Sequence, residues 1–75
     1  MTKEERTKYQ SYIVKKMKSK SPVKWHGADY IPSQLIYSVT TKGEEIYSVK
    51  LDDVKFVKSS IYVGIDEVYK ENSKE

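Results

Sequence analysis

The tetrapeptide Ile-Tyr-Ser-Val occurs twice in this chain, at residues 36–39 and 46–49, with Gly43 between the copies. Both copies are rich in β-branched and aromatic residues, and two such segments separated by a short loop with glycine are typical of a β-hairpin. A three-residue loop, residues 41–43, would place the glycine in the left-handed position of a type I turn followed by a bulge. We therefore interpret the repeat as the two arms of one hairpin and not as a duplicated site.

The three-residue loop also sorts the hairpin side chains by polarity. In its register Tyr37 lies opposite Tyr47 and Ser38 lies beside Ile46, whereas a two-residue loop would mix apolar and polar side chains on each face. The odd-numbered positions then form an apolar face that is suited to a core: Leu35, Tyr37, Val39, Tyr47, Val49 and Leu51. The even-numbered positions form a wetter face: Ile36, Ser38, Thr40, Ile46, Ser48 and Lys50.

An amphipathic helix is predicted over residues 3–19, before the hairpin. Thr2 and Glu5 have the spacing of a capping box. Apolar side chains follow at helical spacing on one stripe, and Pro22 disfavours helix in the residue before it. The stripe consists of Tyr9, Tyr12, Ile13 and Met17.

Gly27 and Pro32 are predicted to bracket a turn and a short edge strand that contains Tyr30 and Ile31. This segment separates the helix from the hairpin. Proline has no N–H to donate to a sheet, which is why an edge position is expected here.

After the hairpin, Asp52 and Asp53 are predicted to form a polar turn, and residues 54–57, Val-Lys-Phe-Val, a further strand. Residues 61–65 are predicted to form the last strand. Asp66 is expected to cap a short helical turn over residues 66–71, and residues 72–75 to fray.

These elements predict an α+β fold, an N-terminal amphipathic helix followed by a small antiparallel sheet of four or five strands. Their order resembles that of an SH3-like, partly open barrel, and a helix packed across an open meander is the alternative. Residues 1–75 are expected to form a single domain, with the sheet region over about residues 23–65. A chain of this length buries only about 60% of its unfolded surface, so a homodimer would be a natural source of extra stability.

The composition favours a cytoplasmic protein. The chain has no cysteine, the N-terminus lacks the apolar segment of a signal peptide, and no apolar run approaches the roughly 18 residues that span a bilayer. Its bases are 13 lysines and Arg6, which together with seven tyrosines favour an AT-rich source such as a phage or mobile element. Residues 1–20 hold seven bases and two acids, so the positive charge belongs to the helix.

No residue pattern predicts a catalytic, cofactor-binding or metal-binding site. His26 is the single histidine, and three dispersed glycines do not make a phosphate-binding loop. The adjacent acids Asp52-Asp53 and Asp66-Glu67 lie at element boundaries, where a turn and a helix cap are the simpler explanations. We therefore expect a protein that is not an enzyme and has no cofactor.

Two binding functions remain. The first is a protein-binding module, for instance one that inhibits or modulates a host protein, with its interface on the even face: Ile36, Ile46, Ser38, Ser48 and Tyr62. The alternative is a sequence-tolerant nucleic-acid binder that contacts the phosphate backbone through lysines and stacks bases on aromatic rings: Lys8, Lys15, Lys18, Trp25 and Tyr30. The helix stripe is led by tyrosines and lacks the bulky face of a membrane-surface helix, so we expect no membrane contact.

Overall fold

The computed structural model describes residues 2–56 and 58–73 and confirms an α+β fold. The elements in chain order are α1 (Lys3–Ser19), β1 (Val23–Trp25), β2 (Ala28–Val39), β3 (Glu45–Asp53), β4 (Ser60–Gly64) and α2 (Ile65–Asn72). The four strands form one antiparallel sheet in the order β1-β2-β3-β4, and the sheet curls into a half-barrel. The predicted partly open barrel is therefore confirmed, with four strands.

Helix α1 begins and ends as its sequence indicates. The Thr2 side chain accepts a hydrogen bond from the Glu5 N–H, and the Glu5 carboxylate accepts one from the Thr2 N–H, which completes the capping box. These bonds from Thr2 hold the pKa of Glu5 below its ordinary value. At the other end Lys20 adopts a left-handed conformation with φ of 54°, and the Ser21 N–H donates to the Lys16 carbonyl.

The β2–β3 hairpin has the predicted three-residue turn and register. Tyr37 pairs with Tyr47 and Ser38 with Ile46, while the Thr40 N–H donates to the Glu44 carbonyl at 2.9 Å. Gly43 has φ of +84°, a conformation that disfavours any side chain, so glycine is required at this point of the turn.

Both helices pack on the odd face of the hairpin. Val49 and Leu51 of β3 are fully buried there, in one core cluster with Tyr9 and Ile13 of α1. Helix α2 adds Ile65 and Val68, and β1 and β4 contribute Val23 and Val63. The even face therefore carries neither helix.

The strand predicted to contain Tyr30 and Ile31 is present, but it is not a short separate strand, because β2 runs without interruption from Ala28 to Val39. Gly27 does lie in the turn between β1 and β2, with φ of +79°. Pro32 is tolerated inside β2 because β1 has already ended at the pair Val23–Tyr30, so no strand needs the missing N–H. A register shift between Pro32 and Gln34 follows at once.

The strand predicted over residues 54–57 is wrong. Asp53 lies at the end of β3, and its carboxylate accepts hydrogen bonds from the N–H groups of Lys55 and Phe56, which turns the chain. Val54 and Phe56 are exposed as a result. Val57 lies outside the described residues.

The C-terminal helix differs from the prediction at both ends. It begins at Ile65 with Gly64 as its N-cap, so Asp66 lies in the first turn and does not cap the helix. Asn72, predicted to fray, ends α2 and bonds to the edge of β1. Its side-chain oxygen accepts from the Lys24 N–H at 2.8 Å, and its side-chain nitrogen donates to the Lys24 carbonyl at 2.9 Å. Ser73 follows as the C-cap, and residues 74 and 75 lie outside the described residues.

We expect Asn72→Ala to lower the free energy of unfolding by about 1–2 kcal/mol, because it removes two hydrogen bonds that join α2 to β1. Ser73→Ala is the matched control and should change stability by less than about 0.5 kcal/mol. Urea unfolding followed by circular dichroism measures both. Equal stabilities for the two variants would contradict the role assigned to Asn72.

Candidate functional site

The sheet face opposite the helices, here called the outer face, gathers the side chains that the sequence predicted to form a protein interface. Ile36 pairs with Ser48 and Ser38 pairs with Ile46, so these four side chains form one compact group across β2 and β3. Tyr62 lies in the adjacent row of the sheet on β4, opposite Lys50.

The exposure of the outer face is uneven. Ile46 is 44% exposed and Tyr62 is 64% exposed, whereas Ile36 and Ser48 are half-buried by their neighbours. The group at its centre contains two isoleucines and two serines and no charge. This group is an apolar patch with two hydroxyl groups, and the charged residue Lys50 lies next to it on β3.

On the odd face the end of the hairpin is more exposed than the sequence predicted. Tyr37 is 55% and Val39 is 54% exposed, although both were assigned to the core side. The reason is length. The hairpin extends past the helices, so Val49 and Leu51 at its lower part are fully buried, whereas Leu35 and Tyr47 are only partly buried.

Arg6 of α1 ties this protruding end of the hairpin to the helix. Its guanidinium donates to the Tyr47 hydroxyl at 3.0 Å and lies 3.6 Å from the Glu45 carboxylate. The Tyr37 hydroxyl donates to the same carboxylate at 3.1 Å, and the Tyr37 and Tyr47 rings pack at 5.0 Å. Partial desolvation is the largest cause that raises the pKa of Tyr37 above its ordinary value, and the hydrogen bond to Glu45 is the second.

We expect Glu45→Gln to lower the pKa of Tyr37 while leaving it above the ordinary value, because desolvation remains when the carboxylate charge is removed. The neighbouring Glu44→Gln should leave the pKa of Tyr37 where it is. NMR titration of ring-labelled tyrosine measures both variants.

The sign of the associated stability change is fixed by the direction of the pKa shift. A tyrosine whose pKa is raised in the folded state keeps its proton up to a higher pH than the same tyrosine in the unfolded chain. The contribution of Tyr37 to stability is therefore lost as pH rises above about 10. An unchanged Tyr37 pKa in Glu45→Gln would contradict the assigned bond.

A shallow groove of about 780 Å³ runs along α1 and reaches β2 at a single residue, Leu35. Its helix side is formed by polar and basic side chains together with one half-buried valine: Thr7, Gln10, Ser11, Val14, Lys15, Lys18 and Ser19. We call it the helix groove. No sequence pattern pointed to it, because it depends on where α1 lies relative to β2.

The residues predicted to contact nucleic acid are divided among different surroundings. Lys15 and Lys18 are exposed in the helix groove, while the Lys8 ammonium lies 5.1 Å from the centre of the Tyr69 ring. Trp25 and Tyr30 are half-buried and pack against the core. The fold thus gives both aromatic rings a structural role, and it does not bring the three lysines and the two rings into one exposed surface.

The titratable residues considered for chemistry also have local structural roles. His26 occupies the β1–β2 turn with φ of 50° and packs edge-on against Trp25 at 4.3 Å. Asp53 forms the turn after β3, and Asp66 lies in the first turn of α2. Within residues 2–56 and 58–73, no three His, Cys, Asp or Glu side chains are grouped so that they could hold a metal ion.

Comparisons of the chain with protein-family models, with curated proteins and with solved structures found no significant match. In the part of the chain that the structure describes, no helix is both long enough and apolar enough to cross a bilayer. The fold and surfaces therefore define a class only, a small α+β protein with a half-barrel sheet and one sheet face left uncovered by helices.

Proposed function

We propose that this chain is a non-enzymatic protein-binding module and that the outer face is its contact surface. The observation that carries the proposal is the exposure of Ile46 and Tyr62 on a sheet face that neither helix covers. Burying such side chains against a partner removes apolar surface from water, the main favourable term in protein association.

The composition of the outer face specifies what the partner should present. The uncharged centre suits an apolar patch, and Ser38 and Ser48 suit a partner that can exchange hydrogen bonds with hydroxyl groups. A charged partner surface would lose hydration there without finding an opposite charge.

In its finer form, the proposal is that the partner is a host protein that the chain inhibits or modulates by occupying its surface, and that the chain comes from a phage or mobile element. The lysine- and tyrosine-rich composition supports this version.

A photocrosslinking amino acid placed at position 46 tests the surface directly. We expect it to form a covalent adduct with a partner protein in cells of the host organism. The matched control is the same amino acid at position 56, because Phe56 is exposed but lies in the loop after β3 and not on a strand of the outer face.

The double variant Ile36→Ser/Ile46→Ser should keep its fold and bind the crosslinked partner at least about tenfold more weakly, because two apolar side chains are lost from the interface. Circular dichroism checks the fold and calorimetry measures the affinity. Unchanged affinity in a folded variant would contradict the proposal. Salt-dependent binding of labelled DNA or RNA by the wild-type protein, with no protein adduct, would favour the nucleic-acid alternative instead.

A further inference from the structure

We propose that the exposed edge of β2, together with the helix groove, binds an extended acidic segment of a partner protein by adding it to the sheet as a fifth strand. This surface lies at the side of the sheet and is separate from the outer face, so the inference goes beyond the function proposed above. It rests on three features that meet at Leu35: backbone groups and two lysines that have no partner among residues 2–56 and 58–73, and an apolar floor.

The backbone of β2 offers hydrogen-bonding groups on the side away from β3. In an antiparallel pair, successive residues alternate between bonding to the neighbouring strand and facing away from it. The bond from the Thr40 N–H to the Glu44 carbonyl sets this alternation, because Thr40 faces β3 and Val39 therefore faces away. Tyr37 and Leu35 face away for the same reason. The N–H and C=O groups of these three residues point to an edge on which, within residues 2–56 and 58–73, no strand pairs.

The edge is open because β1 is too short to cover it. Strand β1 pairs with β2 only at residues 28–30, and the chain before β1 turns away to end α1, with the Ser21 N–H bound to the Lys16 carbonyl. Pro22 and Pro32 have no N–H, so neither strand can extend its pairing there. The open edge therefore begins after Pro32 and runs from Leu35 to Val39.

The helix groove adjoins this edge and defines the chemistry of the segment. The Leu35 side chain lines the groove while its backbone faces the edge, so a strand added at the edge would place alternate side chains over Leu35 and Val14. These two residues provide an apolar floor. Lys15 and Lys18 stand exposed at its rim, and neither forms an ion pair with a carboxylate of the described residues. An extended segment with an apolar residue between acidic residues matches both features, because its apolar side chain would cover the floor and its carboxylates would meet the lysines.

A second copy of the chain does not fit this edge. Among the four strands, α1 makes its main contacts with β2, so the helix lies over the edge strand itself. Two β2 edges that paired in the antiparallel sense would be about 4.8 Å apart, and their helices, on the same side of the merged sheet, need about 8–10 Å between axes. An extended segment carries no such helix. Acidic residues in it would also meet Lys15 and Lys18 with opposite charge.

The test begins with a displayed library of random peptides selected against the immobilised protein at low salt. We expect the enriched peptides to carry aspartate or glutamate on both sides of an apolar residue. One enriched peptide is then synthesised and titrated into the isotope-labelled protein. Its binding should shift the amide signals of Leu35, Tyr37 and Val39 and leave the signal of Ile46 on the outer face near its original position.

Val39→Pro removes one N–H that points to the edge and keeps the bonds of β2 to β3, because Val39 faces away from β3. We expect it to weaken the peptide about fivefold, whereas Val39→Ala, which keeps the N–H, should bind almost as the wild type does. Lys15→Glu/Lys18→Glu should weaken the peptide about tenfold. The control Lys3→Glu/Lys8→Glu reverses as many charges on the same helix outside the groove and should have little effect.

Three results would overturn the proposal: no enrichment of acidic peptides, a peptide whose signals map to the outer face, or equal binding by the groove and control variants. A concentration-dependent doubling of mass in light scattering that Val39→Pro abolishes would assign the edge to a second copy, and it would also overturn the proposal. None of these results bears on the Ile36→Ser/Ile46→Ser experiment, so the two surfaces fail or stand independently.

Discussion

The register of the β2–β3 hairpin is the constraint on which the rest of the structure depends. Gly43 in its left-handed conformation closes a three-residue turn, and this turn decides which side chains share a face. A shift of one residue would move Val49 and Leu51, both fully buried, from the helices to the outer face. It would also bring Ile46 and Ser48 of the same strand to the core side, so the division between core and candidate interface rests on this one turn.

The size of the helices then decides how much of the hairpin becomes core. α1 and α2 cover the lower half of the odd face, and Arg6 reaches Tyr47 and Glu45 near the protruding end. Beyond that point Tyr37 and Val39 remain exposed although they share a face with the core residues. A small protein with one long hairpin therefore has apolar and backbone groups at its surface that a larger protein would cover. Both candidate binding surfaces lie along this hairpin.

The side of the sheet formed by β1 and by the free part of β2 has one protected part and one open part. At β1 the Asn72 side chain bonds to both backbone groups of Lys24, so α2 protects part of that edge from pairing with other strands. At β2 the edge from Leu35 to Val39 lies beside the helix groove and has no such protection among the described residues. The edge that we propose for binding is therefore the unprotected part of this side of the sheet.

Predictions from local sequence succeeded where one short segment contains the whole cause. The capping box of α1, the glycine of the hairpin turn and the alternation of faces all depend on residues close in sequence, and all were predicted. The strand predicted over residues 54–57 failed because the Asp53 carboxylate binds two following N–H groups and turns the chain, a local competition that β propensity does not include. The prediction that Asp66 caps α2 failed because the helix begins earlier, at Ile65. Burial of the Ile65 side chain in the core favours this start.

The sequence by itself determined the helix, the hairpin register and the group formed by Ile36, Ser38, Ile46 and Ser48, because periodicity and turn chemistry act over a few residues. Only the tertiary structure decided where β1 stops, that Pro32 lies within one long strand, and that Asn72 bonds to a strand 48 residues away. It alone placed Lys15 and Lys18 beside Leu35 and packed Trp25 and Tyr30 against the core. These features depend on contacts between distant segments, which the spacing of residues along the chain does not contain.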